Sequence, residues 1–233
     1  MTPHASRLTP HGFFITGTDT GVGKTLIACA LLHALAGAGR RVVGMKPVAA
    51  GATHGAEGFI NDDVRLLRAA SSVKAELALV NPYCFEPAIA PHIAAAQAGV
   101  TIDLVNITQA YAQLAAAADV VIVEGAGGFC VPLNSREDAA DLAQCLGLPV
   151  ILVVGVRLGC LNHALLTAQA IGARGIKLAG WVANCVDPAM AVAAENISAL
   201  AARLAAPLVG EIEFMAAPDP QRVARLLDVS HLA

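Results

Sequence analysis

The chain has 233 residues, 56% of them hydrophobic, which is enough for one sizeable α/β domain and leaves little room for a second. The formal net charge is −3 and the longest basic run is the Arg40-Arg41 pair, which argues against a nucleic-acid partner. Mean hydropathy is high, but the longest apolar run, residues 148–156, is about half of the roughly 20 residues that span a bilayer. Since residues 1–12 also lack the apolar segment of a signal peptide, we expect a cytoplasmic protein with no membrane partner.

Apolar segments typical of strands alternate along the chain with helical segments. The Val- and Ile-rich segments near residues 120 and 150 show no polar alternation, as expected of parallel strands buried on both faces. The predicted strands cover residues 13–16, 41–46, 120–124, 150–156, 178–183 and 208–212. The predicted helices cover residues 25–36, 62–71, 102–118, 162–173 and 189–204.

This alternation predicts an α/β fold with a mostly parallel sheet, flanking helices and right-handed crossovers. We find no internal repeat and no linker, so a single domain is expected over residues 1–233. Residues 47–61, rich in Gly and Ala, are the segment most expected to form a mobile loop.

A glycine-rich segment, GTDTGVGKT at residues 17–25, connects the first predicted strand to the first predicted helix. A phosphate-binding loop usually has a glycine where this chain has Thr18, one residue after Gly17. Backbone N–H groups of such a turn and the positive end of the helix would face an anion. Lys24 would add charge at the β- and γ-phosphates, and the Thr25 hydroxyl can bind Mg²⁺. A glycine turn without a ligand is the alternative, but the flanking strand and helix favour a P-loop NTPase-like nucleotide site.

Further charged residues follow other predicted strands. Lys46 and Glu124 each end a strand, at the edge where parallel sheets bind ligands, and two lysines near one triphosphate would suit phosphoryl transfer. Asp62 and Asp63 begin a predicted helix and could supply a second metal-binding carboxylate. The alternatives are a solvated lysine, a Glu124 that caps a helix or pairs with an arginine, and acids that only favour a helix N-terminus.

The cysteines and histidines show no metal-binding spacing. The six cysteines are scattered without a CxxC pair, so we expect small buried hydrophobic residues rather than disulfides or zinc ligands. For the histidines at positions 4, 11, 54 and 92 we expect surface or loop roles.

Several segments together resemble the dethiobiotin synthetase family, in the family's order and over nearly the whole chain. The longer phosphate loop is the family's own form, and its combination with Lys46 and RLGCLNHALL is specific. The other segments that carry the resemblance are KPVAAG, NPY at residues 81–83, PH at residues 91–92, VEGAGG, ILVVGVRLGCLNHALLTAQAI and GWVANCVDP.

The resemblance implies a reaction that composition and spacing do not indicate. The family is an ATP- and Mg²⁺-dependent ligase of biotin biosynthesis that carboxylates 7,8-diaminopelargonate with carbon dioxide. A carbamate forms on one amine and is phosphorylated to a carbamic-phosphoric anhydride. The second amine then closes the ureido ring, which gives dethiobiotin, ADP and phosphate.

The resemblance also implies roles for individual positions. The residues closest to the chemistry would be Thr20, Lys24 and Lys46. The ligands of Mg²⁺ would be Thr25, Asp63 and Glu124. The nucleotide would contact Thr18, Asp19, Gly21, Val22, Gly23, Lys24, Thr25, Asn184, Pro207 and Leu208, with Asn184 at the adenine. The substrate would contact Lys46, Ala50, Gly127, Gly128, Gly159, Cys160, Leu161 and Asn162.

One position departs from the family pattern, because Ala50 stands where relatives carry a serine hydroxyl. If that hydroxyl orients the carbamate, Lys46 must do so without it here, and turnover or carbamate affinity is expected to be lower.

The resemblance further implies a homodimer. The N–H groups at the start of the helix that contains Gly159–Asn162 would receive the substrate carboxylate in the opposite subunit's site. The apolar face of RLGCLNHALL agrees with a subunit contact, although packing within one chain is the alternative.

Two other classes share features with this sequence. Synthetases that amidate corrinoids have a similar domain but continue into a glutaminase domain, for which a chain ending at Ala233 leaves no room. Switch ATPases of the ParA/MinD type carry a second lysine early in the loop, where this chain has Thr18 and Asp19. The last 14 residues are also too short and too weakly amphipathic for a MinD-like membrane helix.

Overall fold

A computed structural model describes residues 12–55 and 58–232 of the chain. Within these residues the strands are β1 (Gly12–Gly17), β2 (Val42–Met45), β3 (Val48–Ala50), β4 (Thr53–Gly55), β5 (Gly58–Ile60), β6 (Tyr83–Phe85), β7 (Val120–Gly128), β8 (Val150–Val156), β9 (Leu178–Cys185) and β10 (Leu208–Ile212). The helices are α1 (Lys24–Gly37), α2 (Asp62–Ala70), α3 (Leu77–Val80), α4 (Pro91–Gln97), α5 (Leu104–Ala117), α6 (Ala139–Leu146), α7 (Cys160–Ala173), α8 (Ala193–Ala201) and α9 (Pro220–Ala224).

A parallel sheet of six strands lies at the centre of the described residues, in the order β2-β7-β1-β8-β9-β10. These are the six strands that the sequence predicts, so the expectation of a mostly parallel sheet is confirmed. Strand β1 lies between β7 and β8, and its last residue, Gly17, is paired with Gly128 and Val153. The segments that leave β1, β2 and β7 therefore meet at one edge of the sheet.

Both faces of the sheet are covered, which explains the unbroken apolar strands. Alternate residues of each strand point to opposite faces. Phe14 and Val121 pack toward α4, α5 and α6, whereas Phe13, Ile15 and Ile122 pack toward α1, α2 and α9. Every residue of β8 is buried as a result.

Trp181 belongs to the core between β8, β9 and the helices α7 and α8. Its side chain is fully buried among apolar neighbours such as Leu152, Val154 and Ile197. The indole Nε1 has no hydrogen-bond partner within the part of the chain that the structure describes.

Several short elements are absent from the sequence prediction. The expected loop at residues 47–61 contains β3, which pairs with β6, and an antiparallel hairpin of β4 and β5, whose residues 56 and 57 lie outside the described part. Helix α6 was not expected, yet Asp138 and Asp141 form a capping box at its start and Gly147 ends it in the left-handed region at φ 64°. Helix α8 begins at Ala193, four residues later than predicted.

The cysteine prediction is partly wrong. Cys29 and Cys160 are buried, but Cys130 and Cys145 are exposed, and all six thiols are free. Burial raises the pKa of the Cys29 thiol to about 12.

Among the histidines, His54 lies on the exposed strand β4 beside the Phe59 ring. The histidines at positions 4 and 11, and the N-terminal residues 1–11 as a whole, lie outside the described residues.

Candidate active site

The phosphate loop fills the short connection between β1 and α1. Gly21 and Gly23 have φ angles of 74° and 90°, a region in which residues with a side chain are strained. A Cβ atom on Gly23 would lie 2.2 Å from Nδ2 of Asn184. Because the backbone turns so tightly here, the first N–H groups of α1 face the edge of the sheet, as anion binding requires.

Thr18, the residue at the unusual position of the loop, ties the loop to the neighbouring strand. Its N–H donates to the Val153 carbonyl at 3.0 Å, and its hydroxyl accepts from the N–H of Gly155 at 3.3 Å. The extra residue of the loop is therefore a structural attachment to β8, and it leaves the glycines, Lys24 and Thr25 in the expected order.

Four polar side chains form one cluster under the loop. The Lys46 amine donates to Asp63 at 2.9 Å and to Oε1 of Glu124 at 2.5 Å. The Thr25 hydroxyl donates to the same Glu124 oxygen at 2.9 Å. Lys46 and Glu124 are only 5% and 1% exposed, so this ion pair lies in the protein interior. The structure thus brings together a lysine that directly follows β2, a carboxylate from β7, a carboxylate from α2 and a hydroxyl from α1.

The charges within this cluster alter the pKa values of its members. Burial alone would lower the pKa of Lys46, but the Glu124 and Asp63 carboxylates outweigh burial and raise it above its usual value. Burial would likewise raise the pKa of Asp63, yet Lys46 holds it below its usual value. Lys24, by contrast, has a pKa lowered to about 8, first by burial and then by the charge of Lys46. Because its pKa is raised, Lys46 remains a cation over a wide pH range, whereas Lys24 does not.

A cleft of about 720 Å³ opens onto the cluster. Its lining includes most of the predicted phosphate, metal and carbamate residues, namely Thr20, Gly21, Gly23, Lys24, Thr25, Lys46, Ala50, Asp63, Glu124 and Gly127. A second cavity of about 700 Å³ lies at the opposite end of the strands, beside Arg40, Arg41 and Asp119. We take the first as the candidate site because only its lining combines the phosphate loop with the lysine–carboxylate cluster.

The alternatives left open by the sequence are decided by these contacts. Lys46 is buried rather than solvated, and Glu124 pairs with this lysine rather than with an arginine or a helix end. Of the two adjacent acids, Asp63 faces the cluster, whereas the side chain of Asp62 is 87% exposed beside Arg65.

The remaining predicted residues lie around the cleft or away from it. Val22 is buried beneath the loop, and its carbonyl accepts from Asn184 Nδ2 at 2.8 Å. The carboxylate of exposed Asp19 accepts from Arg157 at 2.5 Å. Gly128 pairs with Gly17 at the end of the central strands. The start of α7, with Gly159, Cys160, Leu161 and Asn162, is not part of the cleft lining.

The prediction that Pro207 and Leu208 contact the nucleotide is not supported by the fold. Both lie at the start of β10, where Leu208 is paired with Trp181 and the Pro207 carbonyl accepts from the Trp181 N–H. Asn184 is paired instead with Ile212, at the far end of the same strand. Because parallel strands bind ligands at their carboxyl ends, the start of β10 lies on the wrong side of the sheet.

Other residues of the site were missed by the sequence prediction. The cleft is also lined by Val48, Ala88, Ile89, Ala90, Pro91, Ala126 and Val131. Their apolar side chains carry no chemical signal, although Val48, Pro91 and Ala126 lie within segments that carry the family resemblance, namely KPVAAG, PH and VEGAGG. Asn61, which caps α2 directly before the two acids, was detectable from the preference of asparagine for this position.

The donor set fits Mg²⁺. Carboxylate and hydroxyl oxygens are the ligands this ion prefers, and it is commonly held by one or two carboxylates together with substrate phosphates. Oε2 of Glu124 is buried and has no hydrogen-bond partner within the described part of the chain. That part contains no group of three or more His, Cys, Asp and Glu side chains arranged for a metal. The ion would accordingly need Thr25 and phosphate oxygens in addition to Asp63 and Glu124.

No helix among the described residues is long and apolar enough to cross a membrane.

Two solved structures have a similar fold. The MinD cell division protein of Aquifex aeolicus superposes with a TM-score of 0.52 at 17% identity, over 91% of this chain and 84% of that one. The signal recognition particle receptor FtsY of Elizabethkingia anophelis gives a TM-score of 0.51 at 18% identity, over 98% of this chain and 66% of that one. At these identities the likeness concerns the fold alone.

Sequence relatives are much closer. Residues 11–222 match a family model described as an AAA domain. The chain is 58% identical to the ATP-dependent dethiobiotin synthetase BioD of Aromatoleum aromaticum over 218 residues, 94% of this chain and 97% of the relative. It is 56% identical to the enzyme of the same name from Nitrosospira multiformis, over 95% of this chain and 96% of the relative. The chain therefore belongs to the family of ATP-dependent dethiobiotin synthetases, the ATP-binding ligases of biotin biosynthesis.

Proposed function

We propose that this chain carboxylates 7,8-diaminopelargonate with carbon dioxide and closes the ureido ring of dethiobiotin, at the expense of ATP and with Mg²⁺. The observation that carries the proposal is the buried cluster of Lys46, Asp63, Glu124 and Thr25 directly under the phosphate loop. A loop for a triphosphate, oxygens for a divalent cation and a second lysine are the parts that phosphoryl transfer to a carbamate needs.

The phosphate loop and Lys24 bind the triphosphate in this proposal. The Lys24 amine now donates to the Asp19 carbonyl of the loop at 2.9 Å, which keeps it beside the position of the β- and γ-phosphates. Thr25, Asp63 and Glu124 would hold Mg²⁺, which when bound neutralises phosphate charge. Such fixed charges are effective catalysts because they need no reorganisation as charge develops.

Lys46 and Thr20 orient the carbamate. A carbamate oxygen attacks the γ-phosphorus, the bond to the bridging oxygen breaks, and ADP leaves with the electron pair. Lys46, a buried amine beside the two carboxylates, neutralises the negative charge of the carbamate and of the transferred group. Thr20 lies on the same side of the cleft as Gly127, since the Thr20 hydroxyl oxygen would be 3.6 Å from a Cβ atom placed on Gly127.

The backbone at Gly127 and Gly128 leaves room for the diamine. Gly127 has a φ angle of 65°, and a Cβ atom there would lie 2.9 Å from Val131. In the second step the free amine attacks the carbamoyl carbon, the carbon–oxygen bond to phosphate breaks, and the amine loses its proton.

The substrate carboxylate would bind at the start of α7 of a partner subunit. Helix α7 begins after Gly159, and its first N–H groups lack intrahelical acceptors and favour an anion. Leu158 beside it is 94% exposed and Leu166 is 56% exposed, an apolar surface that a second copy of the chain would cover. We propose a homodimer with two composite sites.

The reaction can be tested with purified protein, diaminopelargonate, bicarbonate and MgATP. We expect ADP release to require the diamine and to equal the dethiobiotin detected by mass spectrometry. ATP turnover that ignores the diamine and gives no ureido product would contradict the proposal and would fit a switch ATPase instead.

A further inference from the structure

The side chain of Asn61 joins two segments of the cleft. It is only 9% exposed, although it is polar. Its Oδ1 accepts from the N–H of Asp63 at 2.9 Å, and its Nδ2 donates to the carbonyls of Ala50 at 3.0 Å and Gly51 at 3.4 Å. The orientation of the amide follows from these partners, since an oxygen must face the N–H and a nitrogen the two carbonyls.

The two segments that Asn61 joins have different tasks. Ala50 ends β3 and lines the substrate side of the cleft, whereas Asp63 lies in the first turn of α2 and faces Lys46 and Thr25. Between them the chain leaves the cleft as the hairpin of β4 and β5, whose residues are mostly exposed. Asn61 closes the base of this hairpin, so one buried amide links Asp63 directly to Ala50 without the exposed hairpin.

We propose that Asn61 is a positioning residue that sets the distance between the metal carboxylate of Asp63 and the substrate-side strand at Ala50. The proposal rests on the Mg²⁺ role of Asp63 in the proposed function. Residues that hydrogen-bond to a metal-binding group fix its orientation, and their removal typically weakens metal binding about 10- to 100-fold. Asn61 fixes Asp63 through its backbone, and it fixes the carbamate end of the cleft through two carbonyls.

Two substitutions separate these contacts. Asn61→Ala removes both the acceptor for Asp63 and the donor to the carbonyls. Asn61→Ser keeps an acceptor suited to a helix N-cap but loses the amide donor. The control is Asp103→Ala, because Asp103 caps α5 by accepting from the Val105 N–H at 2.8 Å, outside the lining of the cleft.

Metal binding is measured with Mn²⁺ as a probe, by electron paramagnetic resonance in the presence of ADP. Asn61→Ala is expected to weaken Mn²⁺ binding at least tenfold. Asn61→Ser should restore most of this loss, while the KM for diaminopelargonate remains raised several-fold in both variants. Asp103→Ala should lower the urea midpoint of unfolding, because a helix cap is lost, and leave Mn²⁺ binding and KM unchanged.

The proposal is overturned if Asn61→Ala binds Mn²⁺ like the unaltered protein, or if Asp103→Ala weakens binding equally. Loss of Mn²⁺ binding in Asn61→Ser to the level of Asn61→Ala would also contradict it. If the unaltered protein makes no dethiobiotin, the proposed function fails, but the comparison of Mn²⁺ affinities still decides the role of Asn61.

Discussion

Lys46 is held between the two carboxylates that are proposed to bind Mg²⁺. Its amine lies 2.9 Å from Asp63 and 2.5 Å from Glu124, and the four-residue cluster is largely buried. Two acids this close need a cation between them, and the Lys46 amine contacts both. A metal held by Asp63 and Glu124 would therefore compete with the amine for these two carboxylates.

Replacement of Lys46 by Met should strengthen metal binding, although Lys46 is proposed to be needed for catalysis. Removal of one partner from a buried ion pair leaves an uncompensated charge, which costs about 3–5 kcal/mol, and a divalent cation would recover part of this. We expect the affinity of the nucleotide-free protein for Mn²⁺ to rise about tenfold at pH 8, measured by electron paramagnetic resonance, while turnover falls.

The matched control is Arg65→Met. This variant also removes a cation, in this case from α2, but the partner of Arg65 is Asp62, whose side chain is 87% exposed. This variant should leave Mn²⁺ affinity unchanged. Weaker Mn²⁺ binding in Lys46→Met would show that lysine and metal occupy different positions.

The buried ion pair of Lys46 and Glu124 was predictable in part, because each residue is polar and ends an apolar segment. The sequence places Lys46 and Glu124 at strand ends, and the topology of a parallel sheet brings strand ends together. Composition and spacing alone do not distinguish Asp63 from Asp62, and the choice of Asp63 came from the family resemblance. The fold does not support the expectation for Pro207 and Leu208, which came from the family resemblance, because both lie at the start of β10 and not at the carboxyl end of a strand.

Helix α6 depends on polar contacts at its first turn. Asp138 and Asp141 each accept from the other's backbone N–H at 2.8 Å, and Arg174 pairs with both carboxylates. Burial would raise the pKa of Asp141, but the Asp138 N–H and the Arg174 guanidinium outweigh it and hold the pKa below the usual 3.8. The charged form of Asp141 is thus stabilised in the folded protein.

Asp141→Asn should therefore destabilise the protein in a pH-dependent way. A carboxyl with a lowered pKa in the folded state adds stability above its ordinary pKa, and this stability is lost as pH falls through the lowered pKa. For this partly exposed pair we expect a loss of about 1 kcal/mol at pH 7 that shrinks below pH 4. The free energy of unfolding in urea, measured from pH 7 to pH 3, tests this.

Asp62→Asn is the control, because Asp62 and Arg65 form an ion pair on α2 that is exposed to solvent. It should change the free energy of unfolding little at any pH. A loss in Asp141→Asn that stays constant down to pH 3 would mean that packing rather than charge explains it.

The longer elements were predictable from apolar periodicity, and the short ones were not. Strand β3 pairs with β6 across more than 30 residues of sequence, and each has only three residues. Such pairs form because the surrounding fold brings them together, so local preferences do not identify them. Helix α6 is different, since its capping box was readable from Asp138 and Asp141.

The start of α7 is the surface at which two copies of the chain are proposed to meet. Its exposed leucines and its helix N-terminus lie outside the cleft of the same chain. The sequence alone did not separate subunit contact from core packing on this face. The structure leaves Leu158 and Leu166 largely exposed while Leu161 and Leu165 are half-buried, so only part of the face is used for packing within the chain.

A mixture of two inactive variants should recover activity if the site is shared. Lys24→Ala removes the phosphate contact, and Asn162→Asp places a negative charge at the proposed carboxylate position. An acid in the first turn of a helix does not disfavour the helix, so folding should be kept. After equal reassortment about half of the dimers are mixed and each has one intact site, so about a quarter of the activity should return.

The assay uses diaminopelargonate below its KM, because the charge at position 162 is expected to weaken its binding. The same two proteins mixed without subunit exchange provide the control. Absence of recovery after verified exchange would place both halves of the site in one chain.

The burial of Trp181 gives the protein an optical reporter. It is the one tryptophan of the sequence. An indole surrounded by apolar side chains, without a hydrogen-bond acceptor in the described part of the chain, fluoresces at short wavelength and is shielded from soluble quenchers. Because tyrosines contribute little when tryptophan is excited selectively, the emission comes from a single position between β9 and α8. Its shift to longer wavelength in urea would mark the opening of that layer without any label.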